Sequence, residues 1–410
     1  MNSSSHADLG SILNLLRDPV GIPAPPVLFQ WLMVFTWAIH IVFVNLVLGG
    51  AALAIAGYLR REDPLWGRLS RAMTQVTKVA LSLAIVVGVA PLLFTQVIYD
   101  PMWYASNVLS AAWVMGFIYA LGLGYTCWFI FSFRNKEGAG AAELLWAVAA
   151  ILLFALNGFV MHVLSVQSIL PAKWLEWYAP QGVPDMSGLK VHAFSFPRFA
   201  FFFAAAAAGT GIFLLAYADY FGPRRDFPAP YREFCRRIGW QWARWGFLAQ
   251  SILAVLWFAG VERAVARPFL WITLLTLLAI LLLLWNRKPE SLVGKGYVAQ
   301  SIFVFYALIV GIAREEIRLG ALLPLGYDPM TYKVNLDLSS TLLFFTTFLG
   351  VGGIGLAFLL AMLWQAGRTE GTYVAGKTVA RLSNYALAIV LIWIAVFFGV
   401  GITVWVRNFH

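Results

Sequence analysis

The sequence predicts an all-α polytopic membrane protein of about ten transmembrane helices, with both the N- and C-termini outside. Three observations predict it. Of the 410 residues, 61% are hydrophobic and only 12% charged, with a mean hydropathy of +0.78; soluble domains carry about a quarter charged residues. Apolar runs of membrane-crossing length recur along the chain. The loops between them alternate between basic and base-poor, the pattern that fixes orientation in a bilayer.

In chain order, residues 8–18 are expected to form a short interfacial helix, and the start lacks the pattern of a cleaved signal. Ten apolar segments follow at 29–58, 73–98, 106–133, 143–168, 192–219, 243–262, 267–286, 296–313, 339–366 and 381–406. Arg60 and Arg61 follow the first, Arg134 and Lys136 the third, Arg224 and Arg225 the fifth, Arg287 and Lys288 the seventh, Arg368 and Lys377 the ninth. Those five loops are therefore expected in the cytoplasm. The formal charge of +10 belongs to this bias, and no nucleic-acid partner is expected. Three regions result: an outer N-terminal segment (1–28), a transmembrane bundle (29–366) and one further C-terminal span (367–410).

The chemistry is sought in the outer half. No CxxCH occurs, so no covalent c-type haem is expected. A GxGxxG match at 350–355 lies inside an apolar span and reads as helix packing rather than a nucleotide loop. Of five histidines, His6 and His410 are terminal and expected inert. His40, His162 and His192 come from three segments and all fall in the outer half by topology. Ionisable groups within a span are costly enough to signal function. Imidazoles, an apolar slot and cations for propionates suit haem b, one or two per chain; a tight metal site or plain helix–helix hydrogen bonding are the alternatives. Arg198, Arg263, Arg267 and Arg314 are expected on the same side as propionate partners. Glu315 and Glu316, with Trp174 and Trp177 of an aromatic belt, are quinone or propionate candidates, the alternative for 314–316 being a solvated helix end.

An ordered set of motifs carries a resemblance. The run from His40, HIVFVNLVLGG, is followed by Gly88-Val89-Ala90, by Asn157-Gly158-Phe159-Val160-Met161, by His192 opening a segment, and by Ala313-Arg314-Glu315-Glu316 with Leu322-Leu323-Pro324. Over residues 28–366 this resembles the large subunit (subunit I) of cytochrome bd quinol oxidases. The resemblance implies a bd-like bundle in a bacterial-type inner (cytoplasmic) membrane, with His40 on one b haem and His192 on another. Departures are specific. Gln96 and Gly311 stand where the family has glutamates, Arg267-Pro268-Phe269 where it has Arg-x-Met, and the quinol loop shrinks to a few residues around 262–266. Oxygen reduction is therefore not expected, and His162 is expected to join His192 on one iron in place of the lost methionine. The expected function is a haem-b subunit passing electrons between quinone/quinol and an extracytoplasmic cytochrome c or other redox subunit, possibly beside a second membrane subunit. A bd-type terminal oxidase and a haemless transporter or scaffold are the alternatives.

Overall fold

The computed structural model describes residues 3–136 and 140–409; His410 and the side chain of His6 lie outside what it describes. It is 81% helical, with no strand among the described residues beyond one isolated bridge, Ile22 to Val334. Nine helices among the described residues are long and apolar enough to cross a membrane. The protein is an all-α, multi-pass membrane protein.

The helices are α1 (Ser3–Leu15), α2 (Pro26–Leu59), α3 (Pro64–Ile98), α4 (Asp100–Leu109), α5 (Ala111–Arg134), α6 (Glu143–Gln167), α7 (Trp174–Tyr178), α8 (Phe196–Tyr220), α9 (Ala229–Ala259), α10 (Pro268–Trp285), α11 (Gly296–Leu322), α12 (Leu338–Phe345), α13 (Gly352–Ala366) and α14 (Lys377–Phe409). We call the end that carries α1, α4 and α7 the upper end. α12 and α13 form one apolar span through a π-helical stretch at Thr346–Val351.

The expected segment 243–262 is the upper half of α9, which is not among the nine apolar spans. Arg244 and Gln250 interrupt its apolar run. α9 nonetheless runs the full height: Arg236 pairs with Asp219 at the lower end, 3.2 Å apart, and Trp257 lies under Arg198 at the upper end. Asp219 also accepts the Gly294 and Gly296 N–H groups, so the base of α11 is fixed to the α8–α9 pair.

Three further boundaries differ from expectation. The segment expected at 106–133 is two helices, α4 and α5, broken at Ser110, whose hydroxyl lies 3.0 Å from the Lys190 carbonyl. His192 does not open a helix: it sits in an extended stretch, because Pro197 in the first turn of α8 sets the helix start at Phe196. α11 does not stop at 313 but runs on to Leu322. Its charged turn stays helical with Arg318 paired to Glu315 one turn back at 2.7 Å and Arg314 resting on the Trp37 ring.

Glycines set the closest helix contacts. A Cβ at Gly211 would stand 2.6 Å from the Gly239 carbonyl oxygen, locking α8 on α9. At Gly49 it would collide with Thr210 and the Ala206 carbonyl, so α2 meets α8 backbone to backbone. α2 is the central helix: it packs against α3, α6, α8 and α11.

Candidate functional site: an apolar cavity with polar ends

A cavity of about 440 Å3 lies inside α2, α3, α4, α6, α8 and α11, with a rim on α5. Along α2 it reaches from Met33 to Leu48, about 22 Å at 1.5 Å per residue. Its volume is that of a site for a small molecule or cofactor, and such sites are mostly apolar with a few placed polar groups.

His40 projects into it at mid-height. Its Nδ1 lies 3.0 Å from the Ala84 carbonyl oxygen. A carbonyl only accepts, so Nδ1 carries the proton and Nε2 keeps its lone pair. One turn on, Gly88 makes room for the ring: a Cβ there would stand 2.7 Å from His40 Cε1. This is the arrangement in which a backbone carbonyl orients an imidazole for ligation through its other nitrogen.

His162 also borders the cavity and is buried. Its Nε2 accepts the Ser195 N–H at 3.2 Å, and its ring is held edge-on between Phe194 and Phe199. That lone pair is already engaged. His192 is not in the cavity wall. It stacks on Trp177, centroids 5.1 Å apart at 16°, and its backbone N–H donates to Gln167 at 3.0 Å. Burial lowers its pKa from the ordinary histidine value, partly offset by the Leu109 carbonyl. The structure therefore does not bring His162 and His192 to one point: one faces the cavity, the other the aromatic belt of α7.

The upper end of the cavity is cationic. Arg198, Arg314, Glu315 and Arg318 all border it. Glu315 is buried and fully partnered: it accepts from Gln30 at 2.9 Å, from the Tyr99 hydroxyl and from Arg318. Arg198 donates to the Ser165 hydroxyl at 2.7 Å and lies over the Trp257 ring. Arg314 rests on the Trp37 ring, 4.0 Å from its centroid, and makes no hydrogen bond among the described residues. The Nε atoms of both arginines are buried without a partner. One carboxylate serves three guanidiniums and pairs with Arg318, so among the described residues Arg198 and Arg314 have no ion-pair partner of their own. Arg314 and Glu315 thus stand in the cavity wall and not at a solvated helix end, the alternative reading of 314–316.

Arg267, Glu316, Trp174 and Trp177 are elsewhere. Arg267 donates to the Glu316 carbonyl at 2.7 Å, and the Glu316 carboxylate accepts the Phe269 N–H at 3.0 Å, fastening α10 to α11. Arg263 is exposed in the loop after α9. Trp174 donates to the Gln167 carbonyl at 2.9 Å and closes α7 over the upper end. Among the described residues, no three His, Cys, Asp or Glu side chains come together as metal ligands. Sequence reasoning missed Arg318, Tyr99 and Gln30, and also Asn45 and Asn157, which line the lower part of the cavity. The signal for the two asparagines was present: a polar side chain inside an apolar span.

No family model matches the chain, and no curated protein matches it.

Proposed function

We propose that the protein is a haem-b membrane subunit that carries electrons between the quinone/quinol pool and an extracytoplasmic redox partner, a cytochrome c or other redox subunit. One observation carries this reading. A single cavity joins a histidine whose Nε2 lone pair is free, walls that are largely apolar, and two arginines without an ion-pair partner of their own at one end. A ligand that satisfies all three has a flat apolar body, an imidazole-binding metal and two anionic groups, and haem b has this composition. His40 would hold the iron, and Arg198 and Arg314 the propionates. When bound, haem b supplies a one-electron carrier.

The residues of the chain do the rest. Ala84 fixes the His40 tautomer. Gly88 leaves the ring its place. The Glu315–Arg318 pair keeps the third guanidinium occupied, so the two free ones face the cavity. A bis-histidine pair at His162 and His192 has no comparable support, so we favour one haem at His40. The resemblance to the bd quinol oxidase large subunit supports an inner-membrane location, the quinone pool and a second membrane subunit. Gln96 and Gly311, in place of glutamates, favour electron transfer over oxygen reduction.

The test is reduction of the purified, oxidised protein by a short-chain quinol, followed in the visible spectrum. Growth of b-type bands at a rate set by quinol concentration is expected. A protein that binds haem but is reduced only by dithionite would remove quinol from the function.

A further inference from the structure

The cavity extends well below His40, and that lower compartment has its own chemistry. Asn45 lies five residues along α2 from His40, about 7.5 Å deeper. Asn157 enters from α6. Both are buried, 3% and 6% exposed, and both border the cavity. Asn45 Oδ1 and both amide atoms of Asn157 have no hydrogen-bond partner. A buried amide without partners costs about 1–3 kcal/mol, so three such atoms on one apolar space point to a ligand that satisfies them.

The wall beside them is tied at both ends and leaves room for a side window between the ties. α3 and α5 touch at the lower end, where Trp128 donates to the Thr74 carbonyl and the Ser82 and Tyr125 hydroxyls lie 3.4 Å apart. At the top, α4 is tied to α6 by Ser106 on the Leu164 carbonyl and closes the cavity. Between these ties the rims are Val89 of α3, 51% exposed, and Phe117 and Leu121 of α5. Gly158 borders the same space, and a Cβ there would meet only Phe203, at 4.0 Å.

We propose that this window admits the head group of a quinone from the bilayer and that Asn157, with Asn45, hydrogen-bonds it in the lower compartment. The window opens on apolar, lipid-facing side chains, so the ligand arrives dissolved in lipid. The recognising groups are neutral amides, so its head is neutral. An amide presents N–H to a quinone carbonyl and C=O to a quinol hydroxyl, so one pair of side chains serves both redox forms. The choice of a quinone over another neutral lipophile rests on the electron-transfer reading above.

The test is photolabelling of the purified protein with an azidoquinone, mapped by peptide mass spectrometry, with haem content measured in parallel. Label is expected in residues 113–121 and 154–161. Asn157→Leu is expected to lower labelling about tenfold and Gly158→Phe to abolish it, both in protein that stays monodisperse and keeps its haem content. His40→Ala separates the two ideas. If it is colourless but labels like the wild type, the quinone site stands; wild-type protein without haem but with the mapped label would remove the haem reading alone. Label confined to the upper end around Tyr99 and Arg318, no label at all, or label unchanged in both Asn157→Leu and Gly158→Phe would overturn the proposal.

Discussion

α2 and α14 are nearly the same length, 34 and 33 residues, and both are strongly apolar. Half of the most apolar window of α2 is buried in the bundle; none of that of α14 is. Hydropathy therefore tells which helices meet lipid-like surroundings and says little about which form the core. What sets α2 apart is what interrupts its apolarity: His40, Asn45 and the paired Gly49 and Gly50. Polar groups and missing side chains mark the face that meets protein, whereas α14 has no such buried set.

The comparison breaks first at the glycines. Gly49→Leu is expected to cost on the order of 3 kcal/mol or more, because the new side chain meets both the β-branched Thr210 and the Ala206 carbonyl of α8. Gly399→Leu in α14, where a Cβ meets nothing within 4 Å, is expected within about 0.5 kcal/mol. Thermal unfolding in detergent, read by aggregation on size exclusion, ranks the two; equal losses would dissolve the distinction between the helices.

Charge inside the bundle gives effects nearly as large. Arg318→Leu leaves the buried Glu315 without its ion pair, and breaking such a pair costs about 3–5 kcal/mol; the double change with Glu315→Gln is expected to recover much of it. Arg314→Leu removes an arginine that forms no ion pair among the described residues. We expect its fold stability to hold and its haem retention under dilution to fall about tenfold, for the loss of one charge-assisted contact worth about 1.5 kcal/mol. A large drop in stability instead would make Arg314 a structural residue.

The smallest effect lies outside the spans. Asp100, at the start of α4, accepts the Asp18 N–H at 3.0 Å and has one oxygen buried without a partner. Burial raises its pKa above the ordinary 3.8, partly offset by the nearby Tyr332 hydroxyl and the Asp18 N–H. A raised carboxyl binds its proton more tightly in the folded state. Stability from this group therefore grows as pH falls from the raised value towards 3.8, and is absent above it. Asp100→Asn is expected to flatten that slope and to leave the melting temperature at neutral pH unchanged or slightly higher. A steeper slope in the variant would reverse the sign of the argument.

Much of this was legible in the sequence. The fold class followed from apolar length and composition, and His40 stood out because an imidazole in a span is costly. The misplaced boundaries have separate physical causes. The apolar run stops at 313, yet an i,i+3 ion pair and a tryptophan face carry Arg314, Glu315 and Arg318 inside the continuing helix. His192 read as a ligand by its depth, but depth does not fix direction, and a proline five residues on keeps it in extended chain beside Trp177. α9 was legible as the segment 243–262, although Arg244 and Gln250 keep it out of the nine most apolar spans among the described residues; its lower half, from Ala229, was not. What no linear reading supplied is convergence, in particular that Asn45 and Asn157 meet one cavity below His40.

The central claim is that His40 holds a haem. A pyridine haemochrome assay on purified wild type and His40→Ala, each verified as folded by size exclusion, tests it most directly. Close to one haem b per wild-type chain is expected and essentially none in His40→Ala, with His162→Ala and His192→Ala retaining theirs. A folded wild type without pigment, or a His40→Ala variant that keeps its full haem, would contradict it.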